Sequence, residues 1–139
     1  MKPRILLIGT LCYVFASFLV QFVSHFAINA SHYAGISFMR TEPLMFLGVL
    51  TMILQGLILT IIYVTWAKGN YSIRNGVLFA WLVGAFFVAY PALVEADKYA
   101  VENIGQWIWV EASAGFVQFT IFGLFLGRFI QPKPEHHGI

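Results

Sequence analysis

Charge is what this sequence has least of. Acidic and basic residues make up 10% of the chain, against about a quarter in soluble domains. Four long apolar stretches cover most of it, and the single Asp, Glu, Lys or Arg inside them is Glu111. A water-soluble globular fold is excluded, because too few ionised groups remain to clothe its surface. Cysteine is nearly absent as well. Cys12 stands alone, so no intramolecular disulfide can form and a thiolate metal site would need partners from elsewhere; it reads as a small apolar packing residue. His25 is the one histidine within an apolar stretch, which excludes the facing pair of imidazoles that a b-type haem requires. No nucleophile lies beside a base, no glycine-rich loop is built to cradle phosphate, and no basic patch suits nucleic acid. The sequence names no reaction.

What is present is hydrocarbon. Hydrophobic residues make up 60% of the chain and the mean hydropathy is +0.80. The apolar stretches run over 5–28, 44–66, 77–94 and 104–126. At about 1.5 Å per residue each crosses, or nearly crosses, a hydrocarbon core of about 30 Å. The expected fold is all-α: an integral membrane four-helix bundle forming one domain over residues 1–130. A polar tail over 131–139, with two prolines and the pair His136-His137, is expected to be disordered. Met1-Lys2-Pro3-Arg4 before an apolar run looks like the start of a signal peptide. That run is too long for one and no small-x-small cleavage site follows at the right place, so a retained first helix is expected.

Loop charge predicts the orientation. If the helices alternate, the amino tail, the loop around 67–76 and the carboxyl tail share one side, with Lys2, Arg4, Lys68, Arg74, Arg128 and Lys133 against one acid, Glu135. The other side has Arg40 and Lys98 against Glu42, Glu95, Asp97 and Glu102. The positive-inside rule then makes both termini cytoplasmic. Trp66, Trp107 and Trp109 stand at span ends, where amphipathic rings meet headgroups. Asn29-Ala30-Ser31 and Asn70-Tyr71-Ser72 match the glycosylation pattern, but both hug an interface and read as coincidences of composition.

Small residues mark where helices approach one another, because membrane helices associate by close backbone packing rather than by the hydrophobic effect. Gly76, Ala80 and Gly84 form one such stripe on the third helix; Gly115, Gly123 and Gly127 form another on the fourth. Spacing does not say whether the partner is in the same chain or another subunit.

Polar side chains gather toward the predicted outer face. Gln21, His25, Asn29 and His32 share one face if the first helix continues past Asn29. Glu111, Gly115 and Gln118 form a stripe on the fourth helix, and the third delivers Tyr90-Pro91, then Glu95 and Asp97. Glu111 lies about 10 Å along its helix, where an unpaired carboxylate is costly, and His25 is the expected neighbour. No cofactor is predicted. A metal ion would have to draw on His25, His32 and one of Glu95, Asp97 or Glu111, which have suitable ligand types but no local spacing motif.

In length, four-helix layout and short loops the chain resembles small uncharacterised four-helix inner-membrane protein families of bacteria. The resemblance is architectural, covers nearly the whole chain, and implies a bacterial plasma membrane and nothing catalytic. Small membrane enzymes of the glutathione-transferase-like kind are similar in size, but their polar intrahelical residues are not matched. Three functions are compatible with these features. The first is a non-catalytic accessory subunit packing through small-residue faces in a larger or homo-oligomeric complex, in contact with lipid and other membrane subunits. The second is an oligomeric transporter or ion conductor using the polar cluster around Glu111. The third is a membrane enzyme or metal-binding redox protein.

Overall fold

A helix satisfies its own backbone donors and acceptors, which is why apolar stretches with no water to turn to adopt it. In the computed structural model, which describes residues 2–38, 40 and 42–130, α1 spans Pro3–Val23, α2 Ala30–Ala34, α3 Met45–Ala67, α4 Ile73–Ala89, α5 Glu95–Lys98 and α6 Ile104–Phe129. A π-helical turn over Ser24–Ile28 extends α1, and a second over Tyr90–Val94 carries α4 into α5. Among the described residues, four helical segments are thus long and apolar enough to cross a membrane: Pro3–Ile28, Met45–Ala67, Ile73–Lys98 and Ile104–Phe129. The tail over 131–139 lies outside the described residues.

Local chemistry sets the helix ends. Pro3 opens α1, where its missing N–H has no intrahelical partner to lose. Lys68 and Gly69 close α3 in left-handed conformations, with φ of 48° and 88°. The third span begins earlier than hydropathy predicts. Ser72 caps α4, its Oγ accepting from the Asn75 nitrogen at 3.2 Å, so the polar Arg74 and Asn75 are drawn into the first turn. Asn103 caps α6 in the same way, through Gln106 at 2.9 Å.

The long helices lie in the order α3, α1, α6, α4. Contact is most extensive between α4 and α6, then between α1 and α3, and the α1–α6 contact joins the two pairs. Although consecutive in sequence, α3 and α4 have few close backbone approaches and meet through the rings of Tyr63, Trp66 and Phe79. The α4–α6 seam is where the small-residue stripes go. A methyl group on Gly76 would strike the Gly123 carbonyl and lie 2.7 Å from the Gly127 nitrogen, while one on Gly123 would lie 2.9 Å from the Ala80 Cβ. Gly84 lies against Phe119 and Gly115 against Val88. The stripes meet each other within one chain. They are not free faces for another subunit. A second close seam, between Gly9 and Thr60 and between Gly56 and the Thr10 backbone, joins α1 to α3.

Aromatic rings fill the centre: Tyr13 meets Phe122 edge-on at 5.0 Å, and Phe79 lies 5.2 Å from Tyr63. Phe79, Phe119 and Phe122 are buried, whereas Phe86 and Phe116 lie on the outer surface. The two ends of α3 differ. From Gly56 onward it is bound into the bundle, but over 45–54 no residue is buried and only Met52 is half-buried. That half stands away from α1 and α6 and leaves a groove between them.

Candidate functional site

Two polar clusters lie along α1 and α6. The first is at the end of the bundle opposite the chain's amino terminus. There the π-helical turn Ser24–Ile28 gives way at Asn29, whose φ of −113° and ψ of 22° take it out of the helix. The Asn29 side chain turns back to donate to Ser24 Oγ at 2.9 Å. The short α2 then brings Tyr33 over the bundle, where its hydroxyl donates to Glu111 Oε1 at 2.9 Å. His25 stacks on the Tyr33 ring at 3.7 Å with planes 9° apart, and its Nδ1 lies 3.0 Å from the Gln21 carbonyl.

His25 was the neighbour expected for Glu111. The carboxylate's hydrogen-bond partner is instead Tyr33, and His25 reaches the site through that ring. The single face expected for Gln21, His25, Asn29 and His32 does not form, because the helix breaks at Asn29. His32 lies instead beside Trp107, at 5.8 Å between rings, and its buried Nε2 has no hydrogen-bond partner among the described residues. Opposite, Pro91 sits within the second π-helical turn, and its carbonyl accepts from Trp107 Nε1 at 2.8 Å. Glu95 lies within electrostatic reach of Glu111. Among the described residues no three of His, Cys, Asp and Glu converge in a way that could hold a metal ion. Burial, and after it the Glu111 carboxylate, raises the Tyr33 phenol above the ordinary tyrosine range.

The second cluster is neutral and deeper. Gln21 Nε2 donates to Gln118 Oε1 at 2.9 Å, and Gln118 Nε2 donates to Ser17 Oγ at 2.9 Å and to the Tyr13 hydroxyl at 3.5 Å. Tyr13 in turn donates to Gln55 Oε1 at 2.8 Å. One line of hydrogen bonds thus ties α6 to α1 and α1 to α3. Tyr13, Ser17 and Gln118 are buried, while Gln21 and Gln55 are half-buried beside the groove left by α3.

Of the residues singled out from sequence, Glu111 and His25 fall in the first cluster and Gln118 in the second, with Gln21 beside it. Asp97 is exposed on α5. Sequence reasoning missed Tyr33, Ser24, Tyr13, Ser17 and Gln55. A signal for two of them was present: the Gln21 stripe continues toward the amino terminus at intervals of four to Ser17 and Tyr13. Comparison with protein-family models, with curated proteins and with solved structures returned no match.

Proposed function

We propose that the chain is a non-catalytic accessory subunit of a bacterial inner membrane, inserted by four helices with both termini cytoplasmic, that works in complex with other membrane proteins. The observation that carries this reading is how the polar side chains inside the bundle are used. Gln118, Tyr13, Ser17 and Gln21 hold helices to one another, Trp107 donates to the Pro91 carbonyl across two helices, and the arrangement offers no activated nucleophile. Polar ties of this kind fix one packing in a medium where the hydrophobic effect does not act between helices. The loop charges support the orientation and the architectural resemblance supports the bacterial membrane. With its glycine stripes engaged internally, the chain would meet partners through its outer surface. Extraction in a gentle detergent followed by native mass spectrometry tests this. A discrete heteromeric complex is expected; a partner-free monomer under conditions that preserve other membrane complexes would overturn it.

A second reading, proton or cation handling at Glu111 in an oligomer, is favoured by one observation. Both π-helical turns lie at the Glu111 end of the bundle, on the helices flanking its own, and such turns are frequent at functional sites. Glu111→Gln keeps shape and hydrogen-bonding capacity while removing titration. Intact assembly with lost ion or proton flux in vesicles would select this reading, and unchanged flux would remove it.

A further inference from the structure

We propose that the groove between the free half of α3 and the α1–α6 pair binds the head of a neutral, membrane-dissolved amphiphile carrying carbonyl or hydroxyl oxygen, the chemical class of isoprenoid quinones and prenols. The inference rests on the membrane-spanning reading above and is independent of the accessory-subunit role. The groove has a volume of about 330 Å³ and is lined by Tyr13, Ser17, Gln21, Thr51, Gln55 and Gln118 among others. That is at the lower end of small-molecule sites, enough for a compact head whose tail leaves through the open side.

Three features choose the occupant. The first is unmet hydrogen bonding. The neutral line of bonds ends with Gln55 Nε2 and Gln21 Oε1, neither of which has a partner among the described residues, and both residues line the groove. In hydrocarbon such atoms are costly unless something hydrogen-bonds them. The second is depth. Tyr13 lies ten residues from the start of α1 and Gln55 ten residues from the start of α3, so each is about 15 Å along its helix, near the middle of the bilayer. Phospholipid headgroups stay at the interface, whereas a neutral isoprenoid can bring its oxygens to this level. The third is charge. Among the described residues no Asp, Glu, Lys or Arg lines the groove, so a charged head would find no counter-ion among them.

The test uses the full chain recovered from membranes in mild detergent, with its melting followed by circular dichroism. Decyl-ubiquinone, farnesol and squalane, a hydrocarbon without oxygen, are titrated separately. A saturable rise in Tm with decyl-ubiquinone or farnesol, and none with squalane, is expected; which of the two acts tells a carbonyl head from a hydroxyl head. Gln55→Leu should weaken the apparent affinity about tenfold, as loss of one buried hydrogen bond implies. Gly48 also lines the groove and has nothing within 4 Å of an added Cβ, so Gly48→Leu should block the entry without disturbing the fold. Absence of a saturable shift with both oxygenated probes, an equal shift with squalane, or unchanged affinity in both variants would overturn the proposal. A co-purifying polypeptide that covers the groove and that neither probe displaces would do so too. Membrane fractionation reports separately on the reading beneath it, since a chain absent from membranes refutes that reading as well.

Discussion

Glu111 shows what a single carboxyl demands inside an apolar helix. It obtains a donor from Tyr33, a residue outside the apolar stretches, delivered by a break in α1's continuation that hydropathy does not register. Tyr33→Phe removes that donor. A hydrogen bond to a charged group contributes about 1.5–3 kcal/mol, and a loss of stability in that range is expected by thermal or denaturant unfolding in detergent; a loss below about 0.5 kcal/mol would mean that the bond contributes nothing. The same residue predicts a pH dependence. The Tyr33 phenol is raised by burial and by the Glu111 carboxylate, so its stabilising contribution is whole below about pH 10, the unfolded tyrosine value. It is lost as pH rises through the higher folded value. Subtracting the ultraviolet titration of Tyr33→Phe from that of the wild type should therefore leave a phenol ionising above the ordinary range. One ionising at or below about pH 10 would contradict the environment described.

At the scale of elements the decisive contact is the α4–α6 seam, where glycine brings two backbones together. Gly76→Ala places a methyl group against the Gly123 carbonyl, and overpacking of this kind costs about 1–3 kcal/mol. Gly48→Ala on the free half of α3 meets nothing within 4 Å and should stabilise that helix by up to about 1 kcal/mol through propensity alone. Equal effects at the two positions, measured by melting in detergent, would refute the seam. The helices themselves were legible in the sequence because length and hydropathy define a span; their neighbours were not. The Gly76, Ala80 and Gly84 stripe announces close approach, but spacing carries no address for the opposite face. The π-helical turns over Ser24–Ile28 and Tyr90–Val94 were hidden because such a turn leaves the apolar pattern intact, and Gln55 was overlooked as one amide in an otherwise apolar run. Ser17 and Tyr13 were accessible in principle, since they continue the Gln21 stripe at helical spacing. Their hydroxyls matter only because Gln118 faces them from α6.

For the whole molecule, loop charge predicts that the α3–α4 connection faces the cytoplasm. The native Cys12 is buried, so it gives little background to thiol labelling. In whole cells Asn70→Cys should resist an impermeant maleimide and Asp97→Cys should react; the reverse pattern would invert the topology. The helix order has a further consequence for how the chain is made. Because α1 pairs with α3, and α4 with α6, each half is an antiparallel pair contiguous in sequence, and few close backbone approaches join α3 to α4. The first pair is complete before the ribosome has finished the second, so the halves can enter the bilayer in succession and join afterward along α1 and α6. A gene cut between the codons for Gly69 and Asn70 should then yield two fragments that assemble when expressed together, whereas a cut between α1 and α3 would separate partners and should not.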